Sequence, residues 1–215
     1  MFKRFVGLLI LVPLLARSAG AATFYPIDRN HSTIGFAASV LKLSKVTGKF
    51  ADFKGFIIVP DARDLTTSTV EVTIRSTSIS TGLPDRDQDL RGAGFFETEK
   101  YPEITFKSKA IRRSAPPPKA AGKSGPNYVV AGTFTMHGVS RELSIPMNVV
   151  AAKEVLAAEA HLTLNRRDYG ISWNRLMEDG AQFVDDEVEI DLYLLTKSGK
   201  PYELGTPIPE MKPGR

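Results

Sequence analysis

Strict alternation of apolar and polar residues over several separate runs is the feature that most constrains this chain. The run 69–75 reads TVEVTIR, and the runs 103–110, 143–149 and 187–194 follow the same rule. Successive side chains of a β-strand point to opposite faces, so each run predicts a strand with one face in a core and one in water. Such strands are typical of antiparallel sheets.

Weaker runs, alternating or rich in aromatic residues, predict the remaining strands. They cover residues 23–28, 33–43, 50–59, 128–136 and 156–164. All the runs together predict eight or nine strands. Phe53-Lys54-Gly55 predicts a bend within 50–59. His137-Gly138 predicts a tight hairpin turn, and a second turn is expected near Lys153-Glu154.

Few segments fall outside this strand pattern. Helix is predicted only over 85–93, as one short helix. The segment 115–126, APPPKAAGKSGP, predicts a long hairpin loop, with a domain linker as the alternative. Residues 198–215 are rich in proline and predict a flexible tail. Sequential antiparallel strands form either a sandwich or a barrel, and closure into a barrel removes exposed edges.

Residues 1–22 have the three parts of a secretory signal peptide. Lys3 and Arg4 give a positive start, residues 5–16 are apolar, and small residues end the segment. A membrane anchor is the alternative, but about 20 apolar residues are needed to span the hydrocarbon core. We therefore predict a cleaved signal peptide over 1–22 and a domain over 23–197. We expect a periplasmic protein without a transmembrane anchor after cleavage.

Charge and cysteine content exclude two classes of protein. The chain has 28 Lys and Arg against 24 Asp and Glu, but three of the basic residues lie in the signal segment. The 25 that remain nearly balance the 24 acidic residues, so no basic nucleic-acid-binding domain is present. Because the chain has no cysteine, thiolate catalysis and cysteine-based metal sites are excluded.

The three histidines of the chain do not form a catalytic or metal-binding pattern. His31 and Ser32 are adjacent, so on a strand they point to opposite faces. The chain has no G-x-S-x-G motif and no two histidines at the spacing of metal ligands. The sequence therefore predicts no enzyme, no metal site and no required cofactor.

The residues predicted to face inward favour a hollow interior. A barrel of about eight strands has room for its own side chains or for one slender ligand. Slim residues such as Ala38 and Gly132 stand beside large ones such as Phe36 and Phe106. This mixture is not expected to fill the interior by itself. A barrel packed solid by its own side chains is the alternative.

Seven motifs, in sequence order, resemble the YceI-like family. They are YPIDRNHSTIGF at 25–36, KVTGKF with FKG at 45–55, RDQDLR with FF at 86–96, YPEITF at 101–106, GTFTMHGV at 132–139, NRRDYG at 165–170 and DDEVEI at 185–190. The resemblance covers about 23–195 and implies an exported, extended, lipocalin-like antiparallel β-barrel. It also implies a bound polyisoprenoid, a quinone-type tail, or a related lipid or amphiphile. No fixed ligand-binding signature of the family transfers to this sequence.

Site residues are therefore assigned from strand phase and from closeness to the predicted helix. The predicted apolar tunnel consists of Phe36, Ala38, Val40, Phe53, Val72, Ile74, Phe95, Phe96, Ile104, Phe106, Phe134, Met136, Met147 and Trp173. The predicted polar rim consists of Arg86, Arg91, Arg167 and Tyr169. A long-chain apolar small molecule is the expected partner, and the sequence leaves monomer and homodimer both open.

Three functions of different classes are compatible with this sequence. A periplasmic protein that transports, stores or sequesters an apolar ligand is favoured. A filled barrel that serves as a protein-interaction or stress-related module is the second. A lipid-acting enzyme is the third, and it would need an acid, a base and a nucleophile that converge in one pocket.

Overall fold

Twelve antiparallel strands and one α-helix make up the part of the chain that the structure describes. The structure is a computed structural model and describes residues 21–114, 125–152, 154–173 and 183–211. The strands are β1 (Ala22–Pro26), β2 (Thr33–Val40), β3 (Ser44–Phe50), β4 (Phe53–Val59), β5 (Thr69–Arg75), β6 (Ile79–Ser80), β7 (Glu103–Arg113), β8 (Tyr128–Met136), β9 (Val139–Ala152), β10 (Val155–Asn165), β11 (Val184–Leu195) and β12 (Lys200–Tyr202). Helix α1 is Pro84–Arg91, and 3₁₀ turns lie at Arg29–His31, Leu65–Thr67, Ser76–Ser78 and Arg166–Tyr169. The all-β prediction with one short helix is confirmed.

The described strands form one sheet that curls into a lipocalin-like half-barrel. Their order is β12-β1-β4-β5-β7-β8-β9-β10-β11-β2-β3-β6, so β12 and β6 are its edges. Neighbouring strands pair antiparallel throughout. A further bridge between Ile27 and Thr196 ties the end of β1 to the end of β11. The structure therefore has the barrel architecture and not the sandwich.

The strand count exceeds the eight or nine expected, and β3 is one reason. The run 50–59 predicts a single bent strand, whereas the structure ends a separate strand, β3, at Phe50 and begins β4 at Phe53. The alternation in β3 is hidden because Gly48 occupies an inward position. The ring of Phe36, its partner on β2, fills that place, and a Cβ on Gly48 would collide with it. The missing side chain is thus supplied by the neighbouring strand.

Both predicted hairpins around β8 and β9 are present. His137 and Gly138 both have positive φ, 51° and 75°, which is the backbone of a two-residue type I′ turn. At the other end of β8, Tyr128 pairs with Arg113 of β7. The prediction of a long hairpin loop, rather than a domain linker, is therefore confirmed. Its residues 115–124 lie outside the described ones.

The end of the chain covers part of the outer surface of the barrel. Residues 198–215 were predicted as a flexible tail, but Lys200–Tyr202 form β12 and pair with β1. The Tyr202 ring lies 5.9 Å from that of Phe24, which in turn stacks on Phe56 at 5.3 Å. This outer cluster, completed by Ala22 and Ile58, holds the strand in place. The prediction of a flexible tail is wrong for these three residues because they cover apolar surface.

The prediction of a signal peptide falls almost wholly on residues outside the described part. None of the helices in 21–114, 125–152, 154–173 and 183–211 has the length and apolar character needed to span a bilayer. The turn expected near Lys153-Glu154 joins Ala152 and Val155, which pair as the ends of β9 and β10. Lys153 itself is not described.

Candidate ligand-binding cavity

The inner face of the sheet, together with α1 and the segment after it, encloses a cavity of about 940 Å³. Apolar side chains of β2, β3, β5, β7, β8, β9, β10 and β11 form most of its wall. The polar side chains in the described lining are Arg86, Gln88, Asp89 and Arg166. The cavity therefore offers a long apolar surface with a few polar groups, three of them on one helix.

Strands β2 and β11 show how alternation builds this wall. Every second residue of each strand faces the cavity: Ile34, Phe36, Ala38 and Val40 on β2, and Val188, Ile190, Leu192 and Leu194 on β11. Phe36 pairs with Ile190, and Ala38 with Val188. Most of these side chains are only half-buried although they point to the inside of the barrel. They are half-buried because empty space, not other side chains, lies in front of them.

The segment after α1 contributes two aromatic side chains to the wall. Phe96 meets Phe50 of β3 edge-on, with ring centroids 5.7 Å apart. Phe95 packs on Trp173, with ring centroids 4.8 Å apart. Trp173 itself is 39% exposed, so this pair lies where the cavity meets solvent. Phe95 and Phe96, both predicted as tunnel residues, therefore do form part of the cavity wall.

A hydrogen-bond network around Thr81 positions α1. The buried Asp87 carboxylate accepts hydrogen bonds from the Thr81 backbone N–H at 2.7 Å and from its hydroxyl at 2.6 Å. The Thr81 hydroxyl bond, aided by the backbone bond, lowers the pKa of Asp87. The Thr81 hydroxyl in turn accepts from Nε of Arg86 at 2.7 Å. This network fixes the face of α1 that carries Arg86 toward the cavity.

Arg166 is buried and ties together two chain segments beside the cavity. Its Nη1 donates to the carbonyl oxygens of Ile171 and Trp173 at 3.0 and 2.7 Å. Its Nη2 donates to the Val184 carbonyl at 3.3 Å and to the Asp186 carboxylate at 2.9 Å. Burial lowers the pKa of Arg166, while the Asp186 charge opposes that shift. Its Nε donates to the Asp185 carbonyl at 3.1 Å. Because one planar group serves five acceptors, Arg166 sets the position of this part of the wall.

With the cavity described, comparison with known proteins identifies the family. Residues 25–195 match the family model described as a YceI-like domain. A UPF0312 protein of Shewanella sp. strain ANA-3 is 34% identical over 152 residues, which cover 70% of this chain and 74% of that protein. The chain belongs to the YceI-like family. A UPF0312 protein of Photorhabdus laumondii is 36% identical over 141 residues, covering 65% of this chain and 68% of that protein.

Solved structures agree with the fold of this YceI-like protein. BcnA of Burkholderia cenocepacia superimposes with a TM-score of 0.66 at 21% identity, covering 80% of this chain and 99% of that one. A structure described as a polyisoprenoid-binding domain from Saccharophagus degradans gives a TM-score of 0.60 at 18% identity, covering 81% and 98%. At these identities the likeness establishes the fold alone.

The structure brings nearly all the predicted tunnel residues of this YceI-like protein into one wall. Those that line the cavity are Phe36, Ala38, Val40, Val72, Ile74, Phe95, Phe96, Ile104, Phe106, Phe134, Met136, Met147 and Trp173. Phe53 does not line it. Phe53 is buried with Ile27 and Ile74 in the adjoining core, at the first position of β4. Contact of these residues with a ligand stays a prediction.

The predicted rim is less well placed. Arg86 lines the cavity, but Arg91 donates to the carbonyl oxygens of Thr77 and Ile79 and holds α1 to the chain before it. Arg167 bonds the Asp186 carboxylate at 2.8 Å outside the lining. Tyr169 is buried behind Phe134, which it meets edge-on at 5.4 Å. These three residues support the wall from behind.

Several lining residues were not assigned from the sequence. They are Ile34, Val46, Phe50, Val70, Leu90, Val130, Leu143, Ile145, Leu162, Leu164, Arg166, Ile171, Phe183, Val184, Val188, Ile190, Leu192 and Leu194. Six of them lie in the alternating runs 143–149 and 187–194, which predict strands: Leu143, Ile145, Val188, Ile190, Leu192 and Leu194. Extending the inward phase along each whole strand would have found them. Arg166 lies in the motif NRRDYG, but nothing in the sequence assigns it to the cavity, because its partners are backbone carbonyls and the Asp186 carboxylate.

The His31-Ser32 pair is structural in this protein. His31 Nδ1 lies 2.9 Å from the Asp28 carboxylate. The Ser32 hydroxyl accepts from the Leu195 N–H at 2.9 Å and lies 3.2 Å from the Leu195 carbonyl. Both residues therefore fasten the chain between β1 and β2. Within the described ranges, no group of three or more His, Asp or Glu residues has the arrangement of a metal site.

Proposed function

We propose that this protein binds a long apolar ligand inside its barrel, as a transport, storage or sequestering protein of the periplasm. The ligand class is a polyisoprenoid, an isoprenoid quinone or a related lipid or amphiphile. The observation that carries the proposal is the cavity of about 940 Å³ walled mainly by half-buried apolar side chains. Covering a wall of this kind with an apolar molecule removes apolar surface from water and so lowers the free energy of the system.

The size of the cavity favours a long ligand. A water molecule occupies about 30 Å³ in the liquid, so the cavity has room for about 30 groups of that size. Each buried methylene contributes about 0.8 kcal/mol, and association costs about 4–15 kcal/mol. About ten methylenes therefore only offset the lower part of this cost, whereas about twenty exceed it. Long chains are bound in preference to short ones.

The polar groups of the lining suggest how the ligand is oriented. Arg86, Gln88 and Asp89 all lie on α1, next to the exposed Trp173 side of the wall. A ligand with one polar end would place that end near α1 and its chain toward the residues of β8 and β9. The neighbour described as a polyisoprenoid-binding domain supports a ligand of this shape.

The two alternative functions have weaker support. A barrel filled by its own side chains disagrees with the volume of the cavity. A lipid-acting enzyme would need convergent acid, base and nucleophile, and the polar side chains of the described lining are two arginines, one glutamine and one aspartate. We therefore propose a binding protein without catalytic activity.

Export to the periplasm is supported by the segment 1–22. The predicted boundary at 22 removes the first residue of β1, whereas cleavage one residue earlier, after Ala21, keeps β1 complete. Ala22 is 1% exposed and pairs with Tyr202, so its removal would shorten the outer cluster. We therefore expect a mature chain that starts at Ala22, and sequencing the N-terminus of the exported protein tests this.

Extraction of natively purified protein tests the proposal. The full chain is expressed in a Gram-negative bacterium, purified from the periplasmic fraction without detergent, and extracted with organic solvent for mass spectrometry. We expect one prenyl or acyl lipid class at near-stoichiometric amount. Ala38→Trp, which fills the cavity, should lose this lipid, and Ser39→Trp, on the next residue of β2 and outside the lining, should keep it. Lipid-free wild-type protein that also takes up no added prenyl lipid would refute the proposal.

A further inference from the structure

The two arginines of the described cavity lining differ in the donors that they leave for a ligand. A guanidinium has five N–H groups and no acceptor. All five are engaged in Arg166, because its Nε, Nη1 and Nη2 donate to four backbone carbonyls and to the Asp186 carboxylate. Asp186 also balances its charge. Arg166 is therefore part of the wall and has no donor left for a ligand.

Arg86 keeps most of its donors. Its Nε donates to the Thr81 hydroxyl at 2.7 Å, and its Nη2 donates to the Thr81 carbonyl at 3.1 Å. Among the described residues, its guanidinium makes no further hydrogen bond and no ion pair. Both N–H groups of Nη1 and one of Nη2 therefore remain for a molecule inside the cavity that Arg86 lines.

The bonds to Thr81 also fix the orientation of the Arg86 guanidinium. Nε and Nη2 form the edge of the group that meets Thr81. The edge between Nη1 and Nη2, here called the open edge, still presents two parallel N–H groups, one on each nitrogen. Thr81 is itself held by the buried Asp87 carboxylate, at 2.7 Å through its N–H and at 2.6 Å through its hydroxyl. The open edge is therefore positioned before any ligand arrives.

The acidic groups of α1 do not take up the open edge. Asp87 bonds Thr81 rather than Arg86. Its pKa is lowered by the Thr81 hydroxyl bond and, in addition, by the charge of Arg91, so Asp87 interacts with a second arginine as well. Asp89, also in the lining, is exposed, so solvent screens its charge. Asp89 nevertheless opposes an end group that carries several negative charges.

A carboxylate matches the open edge in geometry and in charge. Its two oxygens lie in one plane and accept two parallel N–H groups of a guanidinium. A hydroxyl or a quinone carbonyl brings a single oxygen and leaves one donor of that edge without a partner, which costs binding free energy. A phosphate monoester carries about 1.5–2 negative charges, more than one guanidinium balances. The singly charged group with two oxygens is therefore the better fit.

We propose that the open edge of Arg86 binds the carboxylate of a long-chain fatty acid, which makes an acyl carboxylate the preferred ligand class of this cavity. This inference rests on the proposed function and narrows it. Arg86 is half-buried, so the bound carboxylate keeps part of its hydration while the chain extends along the apolar wall. Arg86 thus determines specificity for the end group, and the wall binds the chain.

Four ligands with the same saturated chain and different ends test this assignment: hexadecanoic acid, hexadecanol, methyl hexadecanoate and hexadecyl phosphate. Each displaces the neutral dye diphenylhexatriene from delipidated full-length protein at about pH 8, where the acid is ionised. All are used below their micelle-forming concentrations. We expect the acid to bind at least about tenfold more tightly than the alcohol or the ester, the size of effect expected for a hydrogen bond to a charged group. The phosphate should bind no more tightly than the acid.

Variants of Arg86 separate the end group from the chain. Arg86→Gln should reduce the preference for the acid over the alcohol to under about twofold, while the affinity for the alcohol, which depends on the wall, stays unchanged. Arg86→Lys keeps the charge but not the planar fork, and about a threefold preference should remain. Arg112→Gln removes an exposed arginine of β7 outside the lining and should keep the full preference. Unchanged binding of the alcohol shows that each variant is folded.

The outcomes separate this inference from the proposed function. Equal affinity for acid and alcohol in the wild type would overturn the inference and leave the proposed function intact. A preference for the acid that survives in Arg86→Gln, or a phosphate bound about tenfold more tightly than the acid, would also overturn it. Failure of all four ligands to displace the dye would refute the proposed function itself. Free fatty acid in the solvent extract of natively purified protein would support the assignment.

Discussion

Two apolar surfaces of the same sheet are treated differently by this chain. On the outside, Phe24 and Phe56 are 4% and 5% exposed, because β12 and its Tyr202 cover them. On the inside, Phe36 and Leu192 stay half-buried in front of a cavity of about 940 Å³. The chain covers the outer cluster completely with its own C-terminal residues, whereas the helix and aromatic side chains on the inner side leave a cavity in front of the wall. Apolar surface alone therefore does not mark a ligand site; apolar surface left uncovered does.

The largest difference in stability should appear when one large side chain of each surface is replaced by alanine. Phe56→Ala in the outer cluster is expected to lower the free energy of unfolding by about 3–5 kcal/mol, because it opens a void in a filled core. Leu192→Ala enlarges a space that is already empty and should cost under about 2 kcal/mol. Urea unfolding of ligand-free protein measures both. Equal losses would contradict the comparison.

Removal of bound lipid uncovers the inner wall but not the outer cluster, and it should lower the free energy of unfolding of the protein. At a free ligand concentration of about 100 times Kd, binding to the native state adds about 2.7 kcal/mol to the free energy of unfolding. We therefore expect delipidated protein to melt at a lower temperature and to recover when prenyl lipid is added back. Phe56→Ala should have a lower melting temperature without lipid, but added prenyl lipid should raise that temperature by the same amount as in the wild type. Scanning calorimetry with and without lipid checks this, and a melting temperature that lipid leaves unchanged would count against it.

Filling the cavity should make the inner wall behave like the outer cluster. Ala38→Trp places an indole against Val46 and Val188, the β3 and β11 partners of Ala38. The variant is expected to lose prenyl-lipid affinity at least about tenfold, or about 1.4 kcal/mol, with no loss of stability in the ligand-free state. Ser39→Trp is the matched control for both measurements. Unchanged affinity in a folded Ala38→Trp would show that the ligand lies elsewhere.

The smallest expected effect concerns His161 on the outer surface. The protonated His161 ring donates hydrogen bonds to the carboxylates of Asp191, at 2.6 Å, and of Glu159, at 2.9 Å, and these bonds raise the pKa of His161 above its ordinary value of 6.5. A raised histidine pKa stabilises the folded state at pH below 6.5, and this stabilisation is lost as the pH rises through the folded-state value. For so exposed a pair we expect about a few tenths of a kcal/mol. Urea unfolding of His161→Asn at pH 5.5 and pH 8 should show a flatter pH dependence, while ligand release is unaffected.

The strand pattern made much of this architecture predictable. Because side chains alternate strictly along a strand, the runs 69–75 and 187–194 fixed both the strands and their inward faces. The same alternation in the runs 33–43 and 143–149 places Ala38 and Met147, far apart in sequence, in one wall. The helix at 84–91 followed from its local charge pattern. These features depend on short stretches of sequence.

Features that depend on contacts between strands were not predictable in the same way. Gly132 was expected to face the interior, but a shift in register between Ser108 and Ala110 places it against the backbone of β7. A Cβ there would collide with the Lys107 carbonyl oxygen. Gly132→Phe would therefore unfold the barrel rather than block the cavity. The role of Arg166 is not predictable for a related reason, since its partners are four backbone carbonyls and the Asp186 carboxylate, which become its neighbours only in the folded chain.

A crystal structure of the mature protein, purified from the periplasm without detergent, tests the central claim most directly. The account predicts continuous density of a long chain along the wall formed by Phe36, Phe106 and Leu192, with a polar end beside Arg86. An interior closed by inward movement of its own side chains, or filled by ordered water, would contradict it.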